Sequence, residues 1–194
     1  MAHDVAHPRT ATGLNTFKLG FWVFLGSETL FFGSLISTYL VYKNESVVGP
    51  FSEQILNIPL TSISTFVLLM SSLAMVLALD AAQRGWRKGT LIWIMATAAL
   101  GSLFLGFQAY EFTEFYHEGL KLQTNVFGSS FFVLTGFHGA HVTIGVLWLL
   151  TLWLEALKGR LPPSRSVTLE IAGLYWHFVD IVWIVIFTLI YLIQ

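Results

Sequence analysis

The chain has 194 residues, 55% of them hydrophobic and only 11% charged. That is under half the charged share of a soluble domain, which excludes an ordinary water-facing surface. The net charge of −1 argues against a nucleic-acid-binding face. With no cysteine, disulfides, thiolate metal sites, cysteine-ligated clusters and covalent c-type haem attachment are excluded as well.

Residues 1–16 read as a polar segment without the pattern of a signal peptide, and 17–194 read as one membrane domain. Five apolar runs follow, at Phe17–Tyr42, Ile58–Leu79, Thr90–Phe112, Phe127–Leu154 and Ile171–Ile193. Each is near the roughly 20 residues that cross a bilayer. Irregular backbone cannot face lipid, so the expected fold class is all-α, a polytopic bundle of five transmembrane helices. Arg9, Lys18, Arg84, Arg87, Lys88, Lys158, Arg160 and Arg165 fall on one side of these spans, and only Lys43 and Lys121 on the other. The positive-inside rule then puts the amino terminus inside and the carboxyl terminus outside.

The first span carries Glu28 about 17 Å along its rise. A charge at that depth costs roughly 2.5–3.5 kcal/mol, so an acid there points to function, as a proton relay or a conformational anchor. The plain alternative is an acid hydrogen-bonded to another helix. Gly26 and Gly33 form a stripe of small residues on the opposite face, suited to close helix packing. The second span starts at Asn57 and Pro59, and its serines and threonines read as packing groups that bond their own helix or a neighbour. At the end of the third span Gln108, Tyr110 and Glu111 read as a polar collar at the outer face, either solvated or a docking surface.

The fourth span places His138 and His141 in an apolar run, with Gly136, Gly139 and Ala140 as a small stripe nearly opposite. Such a helix has little surface left for lipid and belongs at the centre of the bundle or at a boundary with a partner. The fifth span carries His177 and Asp180 three residues apart, a spacing at which a carboxylate can fix an imidazole tautomer. Glu28, His138, His141, His177 and Asp180 are thus the buried ionisable candidates. Spread over three helices, they make no compact ligand set, and no metal site is expected from them. Two histidines three apart on one helix cannot clamp a haem from both faces. A small proton-coupled transporter using Glu28 would call for paired repeats and broken helices, and neither is visible.

Four segments, GFWVFLGSETLFFG around Glu28, GFQAYEF around Glu111, NVFGSSFFVLTGFHGAHVTIG around His138 and His141, and LYWHFVDIVWIVIF around His177 and Asp180, resemble subunit III of haem–copper cytochrome c oxidases in order and spacing. The resemblance covers nearly everything after Leu14. The mitochondrial-type subunit has seven membrane helices, and the present five resemble the shorter bacterial form. The resemblance implies a chain without a catalytic centre or cofactor of its own, in a proton-pumping terminal oxidase of aerobic respiration. There it would stabilise the catalytic subunit, bind structural phospholipid and support proton uptake, while haem and copper reside in partner subunits. The implied partners are oxidase subunits I and II, a small subunit IV, membrane lipid and, further out, a respiratory supercomplex, in a bacterial plasma membrane. It further implies that Glu28 is the glutamate of the family's SE motif, reactive toward hydrophobic carbodiimides. Subunit III of a quinol oxidase and the accessory subunit of a nitric-oxide-reducing enzyme are the alternatives, since the electron-donor site lies on another chain.

Overall fold

The computed structural model describes residues 16–43, 49, 56–162 and 166–193. The polar amino-terminal segment, apart from Thr16, and most of the loop Lys43–Asn57 lie outside the described residues, as do Arg9 and Arg165. Five helices follow in chain order: α1 (Thr16–Tyr42), α2 (Ile58–Gln83), α3 (Arg87–His117), α4 (Val126–Leu157) and α5 (Ser166–Phe187). A π turn, Thr188–Leu192, continues α5. All five are long and apolar enough to cross a membrane, and the described residues contain no strand.

The helices outrun the apolar stretches by as much as a turn and a half. Hydropathy marks only the part of a helix suited to hydrocarbon, whereas polar residues such as Asp80, Arg87 and Glu170 continue the same helices. Two starts are capped by asparagine. Asn57 accepts the Leu60 amide at 3.2 Å and Asn125 the Gly128 amide at 2.7 Å, which satisfies amides left open at a helix start.

Three helix ends share one stop. Gly85, Gly119 and Gly159 adopt φ of +73°, +90° and +72° after α2, α3 and α4. The next amide reaches back five residues: Trp86 to Ala81, Leu120 to Phe115 and Arg160 to Glu155, each 2.9 Å to the carbonyl. Only glycine enters this left-handed conformation without a steric cost, so it closes each of the three ends.

Helix α4 is central, packing on α1, α3 and α5, and α5 closes back onto α2 while α2 pairs with α3. The buried residues of α3 include Thr90, Ile94, Thr97, Gly101, Phe104, Gln108, Glu111 and Phe115, alternating four and three apart. This is the heptad of left-handed helix packing. Helix α2 repeats it with Thr61, Ser64, Leu68, Ser71, Met75, Ala78 and Ala82.

Trp176 of α5 is the knob at the middle. A Cβ built on Gly101 would stand 2.5 Å from its ring and one on Gly145 2.8 Å, so α3 and α4 each leave a hole for it. Its indole N–H donates to Ser71 of α2 at 2.9 Å. One side chain therefore joins four helices.

Helix α1 is attached least. Its buried residues are Leu25, Phe32 and Tyr39, a single line seven apart, while Trp22, Val23, Leu30 and Val41 remain more than half exposed. Polar contacts hold it along its length. Lys18 pairs with Glu170 of α5 at 2.5 Å, Glu28 meets His141 of α4, and Lys43 donates to the Ile193 carbonyl at 3.0 Å.

Candidate functional site

Glu28 and His141 come together across α1 and α4. Glu28 Oε2 lies 3.2 Å from His141 Nε2, and both side chains are under one-fifth exposed. His141 Nδ1 lies 2.7 Å from the Phe137 carbonyl oxygen, which can only accept, so Nδ1 carries a hydrogen and donates. One further proton then lies between Nε2 and the carboxyl group. Placed on Nε2 it gives an ion pair, and placed on Oε2 a neutral acid donating to a neutral imidazole. Phe32 stands edge-on to the His141 ring, with centroids 5.0 Å apart, and closes one side of the pair.

His138 faces elsewhere. It is fully buried, with Nε2 donating to the Val179 carbonyl at 3.2 Å and the ring 4.8 Å from that of Trp183. Among the described residues its Nδ1 has no hydrogen-bond partner.

His177 and Asp180 do share a face of α5, and a hydroxyl from α2 joins them. Ser72 Oγ lies 2.9 Å from His177 Nδ1 and donates to Asp180 Oδ2. Asp180 is buried, and among the described residues nothing bonds its Oδ1.

The collar on α3 is divided. Gln108 and Glu111 are buried, three apart on the inward stripe, whereas Tyr110 lies on the far side of the helix, 55% exposed. Gln108 Nε2 donates to the Thr135 carbonyl at 2.8 Å, and its amide lies over Gly139. Glu111 accepts from Thr61 at 2.7 Å and also bonds the Tyr191 hydroxyl in the π turn. Tyr110 instead donates to Glu114 at 2.6 Å. A single outer-face cluster of these three residues is therefore replaced by two buried core groups and one exposed ring. The residue spacing decides it, since positions three apart share a helix face and positions two apart do not.

Of the glycines in the small stripes, Gly139 alone meets a neighbour, the Gln108 amide at 2.7 Å from a built Cβ. Gly26, Gly33 and Gly136 have nothing within 4 Å of a built Cβ, and Ala140 is exposed. The close helix approach within this chain lies instead at Gly101 and Gly145, around Trp176. Sequence reading took Thr61 and Ser72 as packing hydroxyls that bond their own helix or a neighbour, without naming their acidic partners, and it missed Trp176 and Tyr191 as partners of the polar groups. The signal available for Ser72 and Thr61 was the run of hydroxyls in an otherwise apolar α2.

Among the described residues no three His, Asp or Glu side chains stand together as a metal-holding group. The imidazoles do not converge either. His141 turns to α1, His138 to α5 and His177 to α2; His141 has both nitrogens engaged within the chain, and His138 and His177 one each. Among the described residues these imidazoles therefore share no common ligand position. What the arrangement can do is hold protons inside a membrane bundle.

The family model for cytochrome c oxidase subunit III matches residues 3–194. Among similar proteins, cytochrome c oxidase subunit 3 of Bacillus sp. (strain PS3) is 44% identical over 183 residues, 94% of this chain and 88% of that protein. Quinol oxidase subunit 3 of Bacillus subtilis (strain 168) is 44% identical over 174 residues, 90% of this chain and 85% of that one. The probable quinol oxidase subunit 3 of Staphylococcus saprophyticus is 40% identical over 196 residues, 100% of this chain and 97% of that protein.

Proposed function

The chain belongs to the cytochrome c oxidase subunit III family, and from that premise we propose that it is the subunit III of a proton-pumping terminal oxidase in a bacterial plasma membrane. It is a multi-span helical membrane protein of an oxidoreductase complex. The electron-transfer and oxygen chemistry belongs to haem and copper in the partner subunits I and II. This chain braces the catalytic subunit, with lipid and a small subunit IV completing the surroundings. The observation that carries the reading is the match over residues 3–194, which takes in all five helices and the Glu28–His141 pair.

Within that role, Glu28 and His141 act on a proton rather than on electrons. The Phe137 carbonyl fixes Nδ1 as a donor, so the pair holds one proton in the hydrocarbon layer and exchanges it between Oε2 and Nε2. Gly26, Gly33, Gly136 and Ala140, open within the chain, are the places where a helix of a partner subunit approaches closely. A quinol oxidase is the second reading, favoured by relatives of both names at 44% identity.

Purification of the tagged chain from native membranes tests the assignment. Haem-bearing chains are expected to co-purify in fixed ratio, with reduced-minus-oxidised haem bands in the absorption spectrum. Reduction of those haems by cytochrome c or by quinol separates the two readings. A chain that purifies alone, without haem, refutes both.

A further inference from the structure

The hydroxyl between His177 and Asp180 is placed as a bridge. Those two residues stand three apart on α5 and could meet directly, yet Ser72 of α2 lies between them, 2.9 Å from His177 Nδ1 and donating to Asp180 Oδ2. A hydroxyl has one hydrogen and two lone pairs, so it can accept from Nδ1–H while it donates to the carboxylate. The two ends of this chain of bonds differ. Asp180 is 3% exposed, with Oδ1 unpartnered among the described residues. His177 is half-buried, and among the described residues nothing bonds its Nε2. The exposed Leu69 and Val76 of α2 and Ile181 and Ile184 of α5 flank this part of the bundle. A clamp between α2 and α5 would need only the serine–aspartate bond. It would not need an imidazole threaded through the same hydroxyl with its far nitrogen open.

We propose that Ser72 is a relay residue that carries a proton from His177, at the α2–α5 surface, to the buried Asp180 carboxylate. One proton binds the Nε2 lone pair of His177. The Nδ1 hydrogen passes to Ser72 Oγ as the hydrogen of Ser72 passes to Asp180 Oδ2. The result is a neutral carboxylic acid, an unchanged serine and the other imidazole tautomer, with one proton taken up and none lost. The reverse sequence releases it. The titratable groups facing the acceptor are His177 on its own helix and, on α4, His138, whose Nε2 bonds the carbonyl of the preceding Val179. Helix α2 supplies Ser72, and its charged residue, Asp80, lies two turns further on and pairs with Arg84; α3 reaches this turn through Phe104 against Trp183, and among the described residues no lysine or arginine pairs with Asp180. The relay deepens the proton-handling part of the proposed function at a second position, separate from Glu28.

The test uses the whole complex purified from native membranes, labelled with carbon-13 at aspartate carboxyl groups, in infrared difference spectra after a rapid pH drop. A protonated carboxyl C=O band is expected, lost in Asp180→Asn, appearing together with a change in the imidazole ring modes. In Ser72→Ala the band should form on the order of tenfold or more slowly, and Ser72→Thr, which keeps the hydroxyl, should restore the rate. An unchanged rate in Ser72→Ala, or the absence of an Asp180 band at any pH, overturns the relay. If Ser72→Ala fails to assemble, the unsubstituted complex still decides, because a band that forms with no imidazole change refutes the concerted path. Co-purification with haem is read in the same samples, so failure of the relay and failure of the subunit assignment are distinct results.

Discussion

At the scale of single residues, the polar groups of this bundle differ in whether their second atom is engaged. His141 has both nitrogens occupied, one by a carbonyl that cannot give a proton back and one by Glu28. Replacing Glu28 by Gln keeps the size and removes the acid. The complex should retain its haem content, and labelling of this chain by a hydrophobic carbodiimide should fall to background. Unchanged labelling would locate the reactive carboxyl elsewhere, with Glu111 the next to examine. His138 offers the contrast of a ring wedged between Phe104 and Trp183. His138→Ala deletes that wedge and leaves the Val179 carbonyl without its donor. A loss of about 3–5 kcal/mol is expected by analogy with buried aromatic truncations, read as a lowered thermal midpoint of the detergent-solubilised chain. A midpoint equal to that of the parent would mean the ring bears no packing load.

At the scale of helices, close approach is built from small residues, but not from all the small residues the chain has. Gly145 faces the Trp176 ring, and a methyl group there would stand 2.8 Å from it, inside van der Waals contact. Gly145→Ala should cost about 1–3 kcal/mol through overpacking, whereas Gly136→Ala should be neutral or stabilise the isolated chain by up to about 1 kcal/mol through helix propensity. Thermal unfolding of the two variants side by side checks the ordering. Gly136→Leu adds the converse, with an unaltered fold in the isolated chain and weakened co-purification with the other subunits. Retained co-purification would remove Gly136 from any interface. The glycine pattern shows why sequence gives helices more readily than their contacts. The five spans were legible because hydrocarbon sets a length and a composition, and the helix start at Asn57 because capping is local. The stripe Gly136–Gly139–Ala140 was also legible as a stripe, but nothing in it says which helix lies opposite. The buried heptad of α2 mixes Thr61, Ser64, Ser71 and Ala78 with Leu68 and Met75, so a hydropathy count passes over it. Gln108 and Glu111 were read as surface because they are polar, although their separation already placed them on the stripe of Phe104 and Phe115.

At the scale of the molecule, the charge pattern predicts one direction across the membrane. Among the described residues, six of the eight lysines and arginines lie on the side where α1 begins, while Lys43 and Lys121 are on the other. A juxtamembrane cation on the cytoplasmic leaflet is favoured by about 1 kcal/mol through its anionic lipids, so the imbalance strongly prefers an amino terminus inside. On that expectation the five helices put the far end of α5 outside, and with it the end of the bundle that holds Glu111, Tyr191 and Lys43. At the end where α1 begins, Lys18 and Glu170 tie α1 to α5. The lack of cysteine makes this testable without a background to remove. Lys121→Cys and Lys158→Cys each introduce a single thiol, in the α3–α4 and α4–α5 turns respectively. In intact cells a membrane-impermeant maleimide should modify the thiol at position 121 and spare that at 158, which should react only after permeabilisation. The opposite pattern would invert the bundle and turn the lysine-poor face, with the Glu111 end of the core, toward the cytoplasm.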